Sequence, residues 1–179
     1  MSSTEITIND LDFELFIQEK EIQKRVEEMA LSISTEYAGQ DLVVIGVLNG
    51  VFMFFSDLVK SLSIDVPINF VKVASYTGTQ TSGKVRELVG FSGELKGRHV
   101  LVVDDILDSG YTYSFIIETL KAKAPASIKF ACLLYKPDAL RVDLTPDYAG
   151  FEIPNEFVVG YGLDYNQLGR TYRDIYKKK

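Results

Sequence analysis

The sequence predicts an α/β fold, built around a central, mainly parallel β-sheet with helices on its faces. The first observation is that Leu42–Leu48 and His99–Asp105 are continuous runs rich in β-branched residues, a pattern typical of strands covered on both faces. The second is that segments with helical spacing separate such runs. Strands that alternate with helices pair in parallel, because each helix carries the chain back across the sheet.

Hydrophobic periodicity predicts each element in turn. From Glu21 to Tyr37, apolar residues recur every three or four positions and Gly39 follows, which predicts a helix and its end. The polar stretch Thr77–Lys84 has little to bury and is expected to be a mobile loop. The other predicted elements are strand Leu42–Leu48, helix Val51–Leu62, strand Val66–Ser75, a returning strand Val85–Phe91, strand His99–Asp105, helix Tyr111–Lys123, strand Ser127–Tyr135, a short strand Glu156–Gly162 and a solvated tail Lys177–Lys179.

Length, charge and rare residue types exclude several classes of function. The chain has 179 residues and a formal charge of −6. We expect a single domain, residues 1–179, that binds no nucleic acid, since such binding needs clustered Lys and Arg. One cysteine, Cys132, excludes an internal disulfide, and one histidine, His99, excludes a site with two imidazoles. The longest apolar run, Leu42 to Phe55, is too short to span a membrane. We therefore expect a cytoplasmic location and no membrane partner.

The strongest candidate site follows the strand His99–Asp105. Ligands bind beyond the carboxyl ends of parallel strands, and this strand ends in two adjacent acids, Asp104 and Asp105. Asp108 follows in a turn, and Ser109–Thr112 leads into the next helix. Backbone N–H groups at a helix start bind anions, so we interpret the segment as a phosphate cradle beside acids that hold a cation or sugar hydroxyls. The alternative is that the turn simply caps the helix.

The segment VVDDILDSGYT, residues 102–112, resembles the phosphoribosyl pyrophosphate motif of the type I phosphoribosyltransferases. Three further segments resemble the bacterial hypoxanthine and hypoxanthine-guanine members of that family: GVLNGVFMFFSDLV, VASYTGTQTSGKV and YKPDALRVDLTPDYAGFEIPNEFVVGYGLDYNQLGR. The resemblance extends, in the family's order, from Leu42 to Arg170. It implies the type I phosphoribosyltransferase fold, with a core of residues 38–150 and a small hood from the N-terminal segment and residues 151–179.

The reaction that this resemblance implies belongs to purine salvage. It is the Mg²⁺-dependent transfer of the 5-phosphoribosyl group from phosphoribosyl pyrophosphate to N9 of hypoxanthine and guanine, which gives IMP or GMP and pyrophosphate. Asp108 is implied to be the catalytic acid or base near purine N7. The residues implied to bind phosphoribosyl pyrophosphate are Leu48, Asn49, Gly50, Ser75, Tyr76, Asp104, Asp105, Asp108, Ser109, Gly110, Tyr111, Thr112 and Arg170, with a cis peptide bond between Leu48 and Asn49.

The resemblance also assigns a purine pocket and the metal ligands. The implied purine-binding residues are Ile106, Lys136, Phe157, Val158 and Asp164, and the implied Mg²⁺ ligands are Asp104, Asp105 and Asp164. The ammonium of Lys136 donates hydrogen bonds and accepts none. It therefore suits the O6 carbonyl of hypoxanthine or guanine, whereas adenine presents an amino group there and would leave both groups unpaired.

The chain departs from the family pattern at four positions. Asn49 stands where a basic residue is common, Asp104 where many relatives have Glu, and Tyr111 at a variable position of the cradle. Glu156 stands where some relatives have Lys, so it bears on guanine affinity. None of these changes removes a group needed for the chemistry.

Two alternative functions remain at this point. One is a transferase for xanthine or another oxo-base. The other is a regulator that binds phosphoribosyl pyrophosphate and controls transcription or mRNA, which the acidic, short chain disfavours. The implied partners are phosphoribosyl pyrophosphate, 6-oxopurine bases and further copies of the chain, in a homodimer or homotetramer.

Overall fold

The computed structural model describes residues 4–75, 85–89 and 93–179. The predicted loop Thr77–Lys84 lies outside these residues. The helices are α1 (Glu19–Glu36), α2 (Phe52–Ser61) and α3 (Tyr111–Lys121), with a short 3₁₀ helix at Pro137–Ala139. The strands are β1 (Glu5–Ile8), β2 (Leu11–Ile17), β3 (Leu42–Leu48), β4 (Ile68–Ser75), β5 (Val85–Val89), β6 (His99–Leu107), β7 (Ser127–Tyr135), β8 (Tyr148–Glu152), β9 (Val158–Val159) and β10 (Ile175–Lys178).

Within the described residues, six strands form a central sheet in the order β5-β4-β3-β6-β7-β8. The neighbours from β4 to β8 pair in parallel and β5 pairs antiparallel with β4, so the sheet is mainly parallel as predicted. Val44 of β3 packs with α1 and α2 in one apolar cluster, whereas Val43 and Ile45 pack with α3 in another. Both faces of β3 are therefore covered, which explains its uninterrupted apolar sequence.

The local sequence explains where α1 begins and ends. The carboxylate of Glu21 accepts a hydrogen bond from the N–H of Gln18 at 3.0 Å, which satisfies a donor at the helix start. Ile22 and Val26 lie on the buried face of the helix. Beyond the helix, Gly39 has a φ of +73°, a left-handed conformation that glycine adopts readily at helix ends.

A second, antiparallel sheet joins the two ends of the chain in the order β1-β2-β10-β9. We call this sheet the hood. It confirms the prediction that the terminal segments of the chain form a small hood. The segment Lys177–Lys179 is not the free tail that was predicted, because Lys177 and Lys178 belong to β10, which pairs with β2. Lys178 and Lys179 are exposed, as expected of a solvated segment. Lys177 forms an ion pair with Glu14 at 3.2 Å, and the N–H of Lys179 donates to the carbonyl of Asp12 at 3.1 Å.

Strand pairing also changes some predicted boundaries. The strand predicted to end at Asp105 continues to Leu107, because β7 pairs with it along this stretch. The strand predicted at Glu156–Gly162 is shorter, since β10 pairs only with Val158–Val159. Strands β1, β2 and β8 were not predicted. The remaining predicted bounds lie within about two residues of those observed. None of the helices within the described residues combines the length and the apolar composition of a membrane-spanning segment.

Candidate active site

A cavity of about 280 Å³ opens at the carboxyl ends of β3 and β6, the edge of a parallel sheet where ligands bind. Ten of the predicted site residues line it: Leu48, Asn49, Gly50, Asp104, Asp105, Ile106, Asp108, Ser109, Gly110 and Thr112. The fold thus places the turn after β3 beside the end of β6 and the start of α3, which follow each other in the sequence but lie far from that turn.

Asp104 and Asp105 form an acid pair in the last part of β6. The N–H of Asp105 donates to Asp104 Oδ1 and the N–H of Ile106 donates to Asp105 Oδ1, both at 2.9 Å. Burial, followed by the negative charge of Asp105, raises the pKa of Asp104 well above its usual range. Burial also raises the pKa of Asp105, although the hydrogen bond with the side chain of Asp104, backbone N–H donors and the charge of Arg170 oppose that shift. Such a pair suits a site where a cation or ligand hydroxyl groups offset the cost of ionisation.

The turn between β6 and α3 leaves the helix start open. Gly110 is the N-cap residue, with a φ of +84°, and among the described residues no side chain caps the helix. The helix-cap interpretation of this turn is therefore wrong. A β-carbon on Gly110 would lie 2.4 Å from Val142 Cγ2, so the close packing of the loop after β7 also requires glycine. The first intrahelical hydrogen bond runs from the N–H of Ser114 to the carbonyl of Gly110. The N–H groups of the first turn precede it and can bind an anion, beside the hydroxyls of Ser109 and Thr112.

Lys136 and Asp108 form an ion pair, with 3.2 Å between Nζ and Oδ2. The Lys136 side chain is 6% exposed and that of Asp108 is 53% exposed, so a buried cation points at an accessible carboxylate. The N–H of Lys136 donates to the carbonyl of Leu107 at 3.0 Å, which places the end of β7 beside the turn after β6. The residue predicted to recognise the base and the residue predicted to move a proton are thus direct neighbours.

The turn after β3 lies directly against the acid pair. The peptide bond between Leu48 and Asn49 is cis, as expected. A β-carbon on Gly50 would lie 1.6 Å from Asp105 Oδ2 and 2.7 Å from its Cγ. Only glycine therefore leaves room for the carboxylate in its present position.

Arg170 and Asp164 lie together in the segment between β9 and β10. Arg170 Nη2 is 2.6 Å from Asp164 Oδ1, and Arg170 Nη1 donates to the carbonyl of Gly162 at 2.7 Å. The other oxygen of Asp164 accepts a hydrogen bond from the N–H of Gln167 at 2.8 Å. Each carboxylate oxygen thus has a protein partner, and each keeps a second lone pair that is compatible with the predicted role of Asp164 as a metal ligand.

The other predicted residues in the described part of the chain do not line the cavity. The Phe157 side chain is 43% exposed, with its ring centroid 6.1 Å from that of Phe13 and 5.8 Å from that of Tyr165. Val158 is buried in β9, and Tyr111 is 56% exposed at the first position of α3. Two further residues, Ser75 and Tyr76, were predicted to bind phosphoribosyl pyrophosphate. Ser75 is the last residue of β4, and Tyr76 lies outside the described residues.

The donor set fits a divalent cation only in part. In the part of the chain that the structure describes, no group of three or more His, Cys, Asp or Glu side chains is placed to hold a metal ion. Asp104 and Asp105 supply two neighbouring carboxylates, and oxygen ligands of this kind suit Mg²⁺. The remaining ligands would have to come from the substrate and water, as in sites where Mg²⁺ binds together with phosphate groups.

Sequence reasoning missed several residues that line the cavity, namely Val47, Val73, Leu107, Tyr113 and Phe130. The rings of Tyr113 and Phe130 are stacked with centroids 3.9 Å apart. Tyr113 follows the predicted cradle directly, which was a usable signal. Phe130 lies inside β7, and nothing in its local sequence distinguishes it from an ordinary core residue.

The comparisons with known proteins agree with this geometry. The model of the phosphoribosyl transferase domain family matches residues 17–166. The bifunctional protein TilS/HprT of Listeria monocytogenes is 41% identical over 164 residues, which are 91% of this chain and 25% of that protein. The chain thus spans a quarter of the length of that relative. A hypoxanthine phosphoribosyltransferase of Haemophilus influenzae is 40% identical over 162 residues, which are 88% of this chain and 90% of that protein.

Solved structures give the same result for the fold. The crystal structure of a hypoxanthine-guanine phosphoribosyltransferase from Bacillus anthracis, which holds a HEPES molecule in its active site, superimposes with a TM-score of 0.87 at 41% identity. The match covers 92% of this chain and 97% of that one. The predicted type I phosphoribosyltransferase fold is confirmed, and the chain belongs to the phosphoribosyl transferase domain family.

Proposed function

We propose that the protein catalyses the transfer of the 5-phosphoribosyl group from phosphoribosyl pyrophosphate to N9 of hypoxanthine and guanine. The observation that carries this proposal is the ion pair between Lys136 and Asp108, 3.2 Å apart, which lies next to a helix-start anion site. A 6-oxopurine needs a donor at O6 and a proton acceptor at N7, and this pair supplies both. The relatives from Haemophilus influenzae and Bacillus anthracis carry names for this activity.

Each part of the cavity has a task in this reaction. The 5′-phosphate binds the N–H groups and hydroxyls of Ser109–Thr112, where the helix start favours an anion. The ribose hydroxyls bind Asp104 and Asp105, and the pyrophosphate group lies against Leu48–Gly50 with Arg170 beside it. The purine packs on Ile106 and Phe157, and the backbone of Val158 pairs with its edge.

The bond changes follow from this placement. Purine N9 forms a bond to ribose C1 as the bond from C1 to the pyrophosphate oxygen breaks, and the electron pair of that bond leaves with pyrophosphate. The proton on N7 passes to the carboxylate of Asp108, which acts as the general base. Positive charge develops on the ribose during the transfer, and the carboxylates of Asp104 and Asp105 stabilise it.

Mg²⁺ is the proposed cofactor, held by Asp104 and Asp105 together with substrate oxygens. It would supply a positive charge that neutralises the leaving pyrophosphate. Asp164 is a further proposed ligand, through a carboxylate lone pair not used in its contact with Arg170, which is 2.6 Å long.

The test is a set of initial rates with Mg²⁺ and phosphoribosyl pyrophosphate, in which hypoxanthine, guanine, xanthine and adenine are offered separately. Turnover of the first two, with little for xanthine and none for adenine, supports the proposal. Adenine turnover would refute the role of Lys136, because its ammonium cannot accept a hydrogen bond from the amino group. Absence of turnover with every base would refute the transferase assignment. Omission of Mg²⁺, with a chelator present, is the control for the cofactor.

The cellular location and the assembly remain predictions. We propose a cytoplasmic enzyme that forms a homodimer or homotetramer, on the basis of the family resemblance. The single cysteine, Cys132, is buried and free, which is consistent with a reducing compartment. Light scattering coupled to size-exclusion chromatography measures the assembly state, and a monomeric mass would refute that part of the proposal.

A further inference from the structure

Tyr161 connects the hood region to two helices of the core through one carboxylate. Its hydroxyl donates to Asp57 Oδ2 at 2.6 Å, and Gln23 Nε2 donates to the same oxygen at 2.9 Å. Lys60 Nζ lies 2.7 Å from the other oxygen, Oδ1. The Tyr161 side chain is 1% exposed. Burial and the carboxylate of Asp57 raise the pKa of Tyr161, so its hydroxyl remains a hydrogen-bond donor at neutral pH.

The backbone around Tyr161 has an unusual conformation. Tyr161 has a φ of +48°, and it stands between Gly160 and Gly162, whose φ angles are +99° and +102°. A non-glycine residue in the left-handed region is uncommon and persists where tertiary contacts hold it. Here the N–H of Tyr161 donates to the carbonyl of Tyr172 at 2.8 Å, and the side chain is anchored on Asp57. The turn is therefore held by backbone hydrogen bonds on one side and by this side-chain anchor on the other.

The same turn touches both elements expected to bind pyrophosphate. A β-carbon on Gly162 would lie 2.0 Å from the carbonyl oxygen of Gly50, so these two backbones are in direct contact. Gly50 in turn leaves room for Asp105, as described above. The carbonyl of Gly162 accepts the hydrogen bond from Arg170 Nη1 at 2.7 Å, and the N–H of Gly162 donates to the carbonyl of Arg170 at 3.0 Å. A shift of this turn would therefore displace Arg170 and the Asn49–Gly50 turn together.

We propose that the hydrogen bond from Tyr161 to Asp57 positions the pyrophosphate side of the active site, by holding Gly162 against Gly50 and orienting Arg170. This inference rests on the proposed function for its kinetic readout. Neither Tyr161 nor Asp57 lines the cavity. Both are therefore positioning residues, and their effect is confined to the side of the site that they support.

The variant Tyr161→Phe tests this role because it keeps the ring and removes only the hydroxyl. We expect the KM for phosphoribosyl pyrophosphate and the inhibition constant of pyrophosphate to rise about tenfold, with the KM for hypoxanthine unchanged within about twofold. The matched control is Tyr148→Phe. It removes a tyrosine–carboxylate hydrogen bond to Glu36, between β8 and α1, away from the cavity. All three constants of this control are expected to equal those of the unaltered protein.

Two variants of Asp57 make the test independent of how Tyr161→Phe folds. Asp57→Asn keeps a carbonyl oxygen that accepts the tyrosine hydrogen bond, so the KM for phosphoribosyl pyrophosphate should stay within about twofold. Asp57→Ala removes the acceptor and should reproduce the rise of about tenfold. Equal rises for both substrates, the same rises in Tyr148→Phe, or an unchanged KM for phosphoribosyl pyrophosphate in Asp57→Ala would overturn the proposal.

Direct titration with phosphoribosyl pyrophosphate separates this inference from the proposed reaction. If the unaltered protein binds this ligand without turning over any base, the proposed reaction fails and the positioning role is still measured. Weaker binding by about tenfold in Asp57→Ala and unchanged binding in Asp57→Asn would then support it. Equal binding by both variants would overturn it.

Discussion

The contact between Gly50 and Asp105 makes the variant Gly50→Ala a sharp test of how the site is built. The added β-carbon would lie 1.6 Å from Asp105 Oδ2. Real β-carbons essentially never come closer than 3.0 Å to such an atom. The carboxylate must therefore move by about 1.4 Å or more, and the carboxyl carbon must move with it.

This movement has a cost in stability and a cost in activity. Rotation of the Asp105 carboxylate breaks its hydrogen bond from the N–H of Ile106, which is 2.9 Å long. Overpacking and the loss of one such bond cost about 1–3 kcal/mol. A drop in melting temperature of about 2–4 °C for each kcal/mol is expected for a chain of this size. Misplacement of a substrate-binding group by about 1 Å lowers kcat/KM for phosphoribosyl pyrophosphate by about 100-fold.

The assay combines thermal unfolding with initial rates, and Gly39→Ala is the matched control. Gly39 has a φ of +73° and nothing within 4 Å of a built β-carbon. Alanine there costs about 1–2 kcal/mol through the backbone conformation alone. We expect this control to lose stability and keep full activity, whereas Gly50→Ala loses both.

A second substitution shows whether a clash with Asp105 causes the loss of stability in Gly50→Ala. In an Asp105→Ala background the clash is absent, so adding Gly50→Ala should change the free energy of unfolding by only a few tenths of a kcal/mol. An undiminished loss of stability in that background would refute the steric reasoning. So would normal turnover by Gly50→Ala itself.

Three further predictions follow from single side chains. Asp108→Asn removes the general base and no phosphate contact. Initial rates should show a fall in kcat of about 10²–10⁴-fold. Calorimetry should show an affinity for phosphoribosyl pyrophosphate within about twofold of that of the unaltered protein. Lys136→Met removes a buried donor and should lower kcat/KM for hypoxanthine by about 10–100-fold. In a competition assay, the ratio of hypoxanthine turnover to adenine turnover should fall. Burial opposes ionisation of Asp57, but hydrogen bonds from three donors outweigh it and hold its pKa below the ordinary 3.8. A lowered pKa means that the carboxylate stabilises the fold above the ordinary value and that this contribution is lost as the pH falls through the folded-state pKa. Asp57→Asn should therefore lower the melting temperature by about 2–4 °C at pH 7, with the difference shrinking below about pH 4.

Each of these predictions has an outcome that contradicts it. Equal loss of turnover and of phosphoribosyl pyrophosphate binding in Asp108→Asn would contradict the general-base role. An unchanged ratio of hypoxanthine to adenine use in Lys136→Met would show that another group selects the base. A constant difference in melting temperature between pH 7 and pH 3 would contradict the stabilising role of the Asp57 charge.

The sequence by itself determined the core of the fold and the place of the site. The apolar runs of β3, β6 and β7 mark them as strands buried on two faces, because a central parallel strand has no solvent side on which polar residues are tolerated. The helical spacing of α1 is equally local. Since ligands bind at the carboxyl ends of such strands, the acids and the Gly110 turn could be placed in the site from the chain alone.

The edge and hood strands could not be predicted from the sequence, because their stability comes from pairing with distant segments of the chain. Strand β8 is an edge strand whose half-buried residues carry a weak pattern, and it forms because β7 offers an unpaired edge. Strand β10 ends in Lys177 and Lys178, and Lys179 follows it, so the sequence looks like a tail. The strand nevertheless pairs with β2, far away in the sequence. Pairing of this kind is decided by backbone hydrogen bonds between segments that only the folded core brings together.

The precise contacts of the site were likewise decided by the tertiary structure. Lys136 and Asp108 are 28 positions apart, and their ion pair exists because β6 and β7 are neighbours that end at the same edge. Tyr161 and Asp57 are 104 positions apart, in a turn and a helix with no local signal for each other. Local periodicity predicts whether a segment is a helix or a strand and which of its residues face the core. The distance between side chains on different elements follows from packing, and packing is a property of the whole chain.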